Sequence, residues 1–376
     1  MGIFISFIII LFLLTSLIIG LMPYTGRKGI EFGVNIPENE DTHLRLAKWR
    51  KLYFLINLIL GSLFSWGIVL LMKVVNLTQS KDYLSIYILV GMMTIILISS
   101  LTYLAIRKKI MKMKNNLFKE DRNKKEKEIV IESNYRNSEI GVPNFILLLS
   151  NGIIILTTAL ITLLYYDQIP SRFPTHWGIN FTADRFVDKS FLTTFAVIGI
   201  QILLAFIFYL SNYSLIQAKQ LLNHTDPSQS SFQNKAYRLA WSRFTLIVSI
   251  LTQLLLSSVQ FTSIIFFDTN ISYFIYGIIL FTLIILIYTI SLTLKYGQSG
   301  SRFKKNKSMN KSQFETAYYD DDRYWKLGIV YYNPKDPSIW IEKRFGIGTT
   351  TNMARWQSWV IILIITLFCL LPLFFL

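Results

Sequence analysis

One connection of the sequence, 167–190, concentrates the residue types that can do chemistry. It reads DQIPSRFPTHWGINFTADRFVDKS and places His176 beside Trp177. One histidine with two carboxylates can in principle bind a divalent ion, but robust zinc sites use more His or Cys ligands. The only cysteine of the chain, Cys369, lies in an apolar run. We therefore predict neither a metal site nor a cofactor.

The sequence also contains no motif that indicates nucleophilic catalysis in this connection. A triad needs a hydroxyl or thiol poised beside the imidazole, and Thr175 and Ser190 are available in this connection. No nucleophile-elbow motif surrounds either residue. A lipid-modifying or wall-modifying enzyme that uses His176 as a general base is the enzymatic alternative. We expect a protein that is not an enzyme.

The backbone of this connection is restrained by its composition. Pro170 and Pro174 force extended backbone and remove donors, and Gly178 permits a tight turn. Two interpretations stay open: an ordered cap that packs on the helix ends, with ion pairs fixing it, or a site that recognises an external ligand. The second interpretation predicts a ligand site formed by Pro170, Pro174, Thr175, His176, Trp177, Asp184 and Lys189.

The composition requires that the elements carrying this connection lie in a membrane. Hydrophobic residues make up 52% of the chain and aromatic residues 15%, more than a soluble core needs. A helix of about 20 apolar residues spans the bilayer core. Segments of this kind lie near 3–22, 53–72, 83–106, 145–166, 191–210, 244–267, 272–294 and 358–376. The predicted fold class is an all-α polytopic membrane protein with about eight transmembrane helices.

The basic residues alternate from one connection to the next. Of the 38 Lys and Arg residues, 33 fall in 23–52, 107–144, 211–243 and 295–357. The others are Lys73, Lys81, Arg172, Arg185 and Lys189. The positive-inside rule then puts the four basic connections in the cytoplasm, and both termini outside the plasma membrane. We expect the net charge of +16 to meet lipid headgroups rather than nucleic acid.

The predicted spans contain no Asp, Glu, Lys, Arg or His between their flanking residues. Their strongest polar groups are the amides of Asn57, Asn151, Gln201, Gln253 and Gln260. Such amides usually hydrogen-bond across helix interfaces, and the lack of charge disfavours a proton-coupled transporter. A transporter or permease component for a small neutral or amphipathic solute is the alternative function, with Gln201, Gln253 and Gln260 lining its path.

The chain divides into alternating membrane and polar parts: 1–106 with three spans, the charged linker 107–144, 145–294 with four spans, the cytoplasmic part 295–357, and the last span 358–376. The linker is predicted to be an exposed helix or a flexible chain. In 295–357, the runs WKLGIVYYN and SIWIEKRFG are joined by the turn-forming NPKDP, which predicts a small β-hairpin before the last helix.

IPSRFPTHWG followed by ADRFVDKS resembles the signature of a bacterial membrane domain of unknown function that is shared with SdpI-type immunity proteins. The residues that match its core are Ile169, Pro170, Pro174, Thr175, His176, Trp177 and Lys189. The early position of Gly178 departs from the family pattern. GIEFGVNIP at 29–37 and GIVYYNPKDPSIWIEKRFGIG at 328–348 are similar to uncharacterised membrane proteins of Gram-positive bacteria. The second of these resembles a small C-terminal cytoplasmic domain of unknown function.

SdpI-type members protect the producing cell against a secreted toxic peptide, and some sequester a transcriptional repressor at the membrane. The resemblance therefore implies immunity to, or sensing of, an extracellular peptide or envelope stress. It also implies a peptide ligand at the outer loop and a cytoplasmic regulator bound by 318–348.

Overall fold

A computed structural model describes residues 2–27, 29–36, 40–74, 81–117, 140–177, 183–220, 227–265, 272–303 and 321–370. Its helices are α1 (Gly2–Thr25), α2 (Glu40–Val74), α3 (Lys81–Leu117), α4 (Asn144–Leu164), α5 (Phe191–Gln217), α6 (Pro227–Ile264), α7 (Ser272–Tyr296) and α8 (Trp356–Leu370). Its strands are β1 (Ile30–Glu31), β2 (Val34–Asn35), β3 (Arg172–Trp177), β4 (Ala183–Asp188), β5 (Trp325–Lys326), β6 (Val330–Tyr331), β7 (Trp340–Glu342) and β8 (Thr349–Thr351). The described strands form separate antiparallel pairs, β1 with β2, β3 with β4, β5 with β6 and β7 with β8.

The protein is a multi-pass helical membrane protein, as the sequence predicts. Helices α1 to α7 each contain a stretch that is long and apolar enough to cross a bilayer. Helix α8 lies at the predicted eighth span but has 15 residues, and 371–376 fall outside the described residues. An eighth crossing therefore stays a prediction.

The spans form two groups. In the first, α1 packs along α2 and α3, around a core of Ile8, Phe12, Ile68 and Ile95. In the second, α4, α5 and α6 pack on one another, and α7 lies beside α6. The β3–β4 hairpin lies at one end of these helices, which we call the hairpin end. The opposite end carries the described parts of the connections 23–52, 107–144, 211–243 and 295–357, and we call it the basic end.

Three helices run well beyond their predicted spans at the basic end. Helix α2 begins at Glu40, α3 continues to Leu117 and α6 begins at Pro227. Charged residues end a hydropathy window but not a helix, because Lys, Arg and Glu are good helix formers. The described start of 107–144 continues α3 as a helix, which is one of the two predicted alternatives, and Ile110 and Lys114 are buried on it while Lys108 and Lys112 are exposed. Residues 118–139 lie outside the described part.

The C-terminal segment, residues 321–355, contains strand pairs as predicted, but the pairing differs. The run WKLGIVYYN folds on itself as β5 and β6, and SIWIEKRFG pairs through β7 with the following threonines of β8. Leu327 and Gly328 make the first turn possible, since both adopt positive φ of 52° and 74°. NPKDP joins the two hairpins instead of closing one, because Asn333 and Asp336 accept backbone N–H bonds two residues ahead.

Candidate functional site

The connection singled out by its sequence folds as the β3–β4 hairpin. Arg172 pairs with Asp188 and Pro174 with Phe186, and the register becomes irregular around Thr175 before Trp177 meets Ala183. The sequence predicts a stiff connection with extended backbone, and the structure forms strands there although proline cannot donate a hydrogen bond in a sheet. In a two-stranded hairpin both strands are edges, so Pro174 is tolerated. The predicted turn at Gly178 lies outside the described residues.

The base of the hairpin is fixed to the end of α6. Ile169 and Phe173 are 4% and 2% exposed and pack against Ile264, the last residue of that helix. Lys189 Nζ donates to the Ile169 carbonyl at 3.2 Å and lies 4.6 Å from the centre of the Tyr166 ring. Lys189 therefore joins the two ends of the connection. Of the two prolines, Pro174 is buried and Pro170 half-buried.

His176 and Asp184 come together near the tip. His176 Nδ1 lies 2.5 Å from Asp184 Oδ1, and the two side chains are 60% and 26% exposed. A carboxylate bonded to Nδ1 orients the ring and fixes its tautomer. No described residue hydrogen-bonds to Nε2, the other ring nitrogen. Thr175 is exposed and Trp177 is half-buried, and they flank His176 in the chain.

The hydroxyls that might serve as nucleophiles are placed differently. Ser190 caps α5: its Oγ accepts from Thr193 N at 3.1 Å in a reciprocal capping box. Thr175 lies in the irregular stretch next to His176. Within the described ranges, no group of three or more His, Cys, Asp and Glu side chains is arranged to hold a metal ion.

Helix α6 carries a polar stripe from the hairpin end to the basic end. Its members recur three, four or seven positions apart, so they lie on one face; they are Asn234, Arg238, Ser242, Ser249, Gln253, Ser257 and Gln260. At the hairpin end, Gln260 Nε2 donates to the Thr194 carbonyl of α5 at 2.8 Å. In the middle of the helix, Gln253 Nε2 donates to the Gln201 carbonyl at 3.0 Å, and Gln201 Nε2 donates to that of Gln253 at 3.1 Å.

The predicted role of the intramembrane amides is confirmed. Asn151 Nδ2 donates to Ser249 Oγ at 3.0 Å, and Ser99 Oγ of α3 donates to Asn57 Oδ1 of α2 at 2.5 Å. With the bonds of Gln201 on α5 and of Gln253 and Gln260 on α6, each of the five amides joins two helices. A polar side chain in hydrocarbon finds its best partner on a neighbouring helix.

Glu342 of the C-terminal segment forms the centre of a buried cluster at the basic end. Its side chain is 3% exposed, and Arg27 and Arg238 approach its oxygens to 2.6 and 3.0 Å. Asn234 Nδ2 and Ser299 Oγ donate to the same carboxylate at 2.7 and 2.5 Å. Burial opposes ionisation, but the two guanidiniums outweigh it and hold the pKa of Glu342 below its ordinary value of 4.5.

A second cluster ties the segment to the first helix group. Asp322 binds Lys114 Nζ at 2.6 Å and also Arg344, whose guanidinium contacts Asp321. The Asn35 backbone N–H donates to Asp322 Oδ1 at 3.2 Å. Because Glu342 binds α6 and Asp322 binds α3 and β2, the C-terminal segment clamps both helix groups together at the basic end.

A third contact reaches the end of α5. Lys219 Nζ lies 2.7 Å from Asp336 Oδ2, and the Tyr331 hydroxyl donates to the same oxygen at 2.9 Å. Burial again opposes ionisation, but these hydrogen bonds lower the pKa of Asp336 from 3.8. An exposed apolar surface is left on the segment at Leu327, Ile329 and Tyr332.

Sequence reasoning missed both buried clusters, because it assigned the basic residues to lipid headgroups. One signal was present: Asn234 and Arg238 continue the four-residue spacing of the α6 stripe toward Ser242. The acidic partners are not local, since Lys114 and Asp322 lie 208 positions apart in the chain and Arg27 and Glu342 lie 315 apart.

Two comparisons with protein families match parts of the chain. A domain of unknown function, DUF1648, matches residues 153–209, which include the hairpin with most of α4 and α5. A family of unknown function, DUF5808, matches residues 334–359 within and just after the C-terminal segment. No curated protein and no solved structure matches the chain. The chain is therefore similar to uncharacterised membrane protein families in two places, the hairpin region and the C-terminal segment.

Proposed function

We propose that the protein is a non-enzymatic membrane sensor or immunity protein, in which the β3–β4 hairpin meets an extracellular peptide or envelope stress and the C-terminal segment reports it inward. The observation that carries the proposal is the course of α6. One continuous helix of 38 residues contacts the hairpin through Ile264 and the C-terminal segment through Arg238.

The hairpin has the features of a recognition surface on a rigid support. His176 and Trp177 lie near the tip, while Phe173 and Ile169 anchor the base. Sites of this kind combine a few oriented polar groups with aromatic surface. The ring of His176 is held by Asp184, so binding a ligand at Nε2 costs little further ordering.

The charge distribution supports the orientation that this function needs. The connections at the basic end hold 33 of the 38 Lys and Arg residues. By the positive-inside rule this end faces the cytoplasm, so the hairpin and both termini face outward. We place the protein in the plasma membrane of a Gram-positive bacterium, and its surface at Leu327, Ile329 and Tyr332 meets a cytoplasmic regulator.

The test is protection of cells. A strain lacking the gene is complemented with the wild type, with the double variant His176→Ala and Trp177→Ala, or with Arg172→Ala. Each strain is challenged with a panel of secreted antimicrobial peptides and membrane-active agents. The wild type should restore resistance to one or more of them and the double variant should not, at equal amounts of protein in the membrane.

Arg172→Ala is the matched control, because Arg172 lies on the same hairpin and its ion pair with Asp188 is exposed. It should protect as well as the wild type. Full protection by the double variant would refute the site. The enzymatic alternative predicts a different outcome. The wild type would release a detectable product, and the single substitution His176→Asn would abolish both that product and the protection.

A further inference from the structure

A cavity of about 510 Å³ lies between α1, α5, α6 and α7 at the basic end of the helices. Its size falls within the roughly 300–1,000 Å³ of small-molecule sites. The β7–β8 hairpin forms part of its wall through Lys343, Ile347 and Thr349. The two helix groups thus leave a space between them where the C-terminal segment joins them.

Most of the wall is apolar. Ile18 and Leu21 contribute from α1, Phe244 from α6, and Ile290 and Leu294 from α7. Helix α7 is the least buried of the seven candidate spans, and it contacts α1 only sparsely. The apolar part of the cavity therefore adjoins the bilayer, between α1 and α7.

The end of the cavity near the C-terminal segment is cationic. Lys343 and Arg302 both line it. Neither forms an ion pair with a carboxylate of the described part of the chain, and the Arg302 guanidinium donates to the Tyr24 carbonyl. The neighbouring carboxylate, Glu342, is already bound by Arg27 and Arg238. Two cations thus line one cavity, and neither has a carboxylate partner among the described residues.

Lys343 lies in an environment that disfavours its charge. Burial lowers the pKa of its ammonium, although the side chain keeps accessible surface. Both properties follow from its place in the cavity wall, where protein surrounds it but a small molecule can reach it. An anion bound there stabilises the charged form. Trp241 Nε1 is a further buried donor of this wall and has no partner in the described part of the chain.

We propose that the cavity binds an anionic phospholipid of the leaflet at the basic end, with an acyl chain between α1 and α7 and the phosphate at Lys343 and Arg302. Charge complementarity and the apolar wall beside the bilayer carry this assignment. The bound lipid would fill the gap between the helix groups and contact the C-terminal segment. The site goes beyond the sensing function and does not depend on it.

The experiment is lipid retention by the purified full chain, measured by native mass spectrometry with phosphatidylglycerol or phosphatidylcholine added in detergent. The wild type should retain phosphatidylglycerol in preference to phosphatidylcholine. Lys343→Gln should weaken phosphatidylglycerol binding about tenfold, the low end of the contribution of a hydrogen bond to a charged group. Lys335→Gln is the control, because Lys335 is an exposed lysine of the same segment that lies outside the cavity wall.

A second variant tests the apolar part without changing charge. Ile290→Trp fills the cavity from α7 and should weaken the retention of phosphatidylglycerol, while the melting temperature of the lipid-free protein reports whether the fold is kept. Equal retention of the two lipids, or equal losses in the two lysine variants, would overturn the proposal. A site for free phosphate would also overturn it. In that case inorganic phosphate binds at Lys343, the lipid does not compete with it, and Ile290→Trp leaves its binding unchanged.

Discussion

The two ends of the molecule are held in opposite ways. At the hairpin end, apolar side chains anchor the structure and the charged pairs are exposed, as with Arg172 and Asp188 at 67% and 88%. At the basic end, the charges themselves are buried, and Glu342 and Arg238 are 3% and 1% exposed. Exposed ion pairs contribute little to stability, whereas breaking a buried pair is costly.

This difference indicates which part can change its state easily. Under the proposed function, the hairpin surface binds and releases a ligand while its apolar base stays in place. The C-terminal segment can leave its position only if several buried charges lose their partners together. A signal from the hairpin would therefore act on the segment through a small displacement of α6, which carries Arg238, rather than through release of the segment alone.

The largest expected effect is at the buried cluster. Glu342→Gln leaves Arg27 and Arg238 without a compensating charge, so it should lower the free energy of unfolding by about 3–5 kcal/mol. Thermal unfolding of the purified protein in one fixed detergent measures the change. Asp188→Asn removes an exposed carboxylate and should shift the melting temperature little. Equal shifts of the melting temperature in the two variants would contradict the claim that buried charges stabilise only the basic end.

The second-largest effect on stability is expected from acid, which acts on the carboxylates of the basic end. Glu342 and Asp336 both have a lowered pKa in the folded protein. Their contribution to the stability of the folded protein is therefore complete above their ordinary pKa values of 4.5 and 3.8. It is lost as the pH falls through their lower pKa values in the folded protein. Melting temperature measured against pH should fall in this acid range, and Glu342→Gln should flatten the fall. An unchanged profile in that variant would contradict the assignment.

The smallest effect belongs to the amides within the spans. Gln253→Leu removes one donor from the pair with Gln201 and should cost about 0.6 kcal/mol, the average for interhelical hydrogen bonds in membranes. The same thermal unfolding experiment measures this loss of stability. Gln201→Leu removes the other donor of the pair and is measured beside it. The same variants test transport: if they abolish solute uptake into vesicles containing the purified protein, these side chains line a path.

The sequence was informative where a pattern is local. Spans follow from runs of apolar residues, and the role of Gln201 or Asn151 follows from the cost of an unpaired amide in lipid. The extended ends of α2, α3 and α6 did not follow, because a hydropathy window stops at charges that a helix accommodates. The pairing of β5 with β6 depended on Leu327 and Gly328 at positive φ, which hydrophobic alternation does not reveal.

The ligand site stays a prediction, and the sequence selected its residues without giving their geometry. The connection 167–190 was singled out by its prolines and His176, and the structure joins that imidazole to Asp184. The structural task of Lys189 was not visible, because it depends on the Ile169 carbonyl across the hairpin base. The partners of Glu342 could not be predicted from a single sequence, since they come from the residue two positions after α1, from α6 and from the turn after α7.

The central claim is that α6 couples the hairpin to the C-terminal segment. Hydrogen–deuterium exchange of the protein in lipid nanodiscs tests it through Phe173→Ala, which loosens the hairpin base against Ile264. Phe186→Ala is the matched control, because Phe186 lies on the neighbouring strand and is 46% exposed. Faster exchange in both the hairpin and residues 321–355 for Phe173→Ala alone is the predicted result. Faster exchange confined to the hairpin, with 321–355 unchanged, would contradict the account.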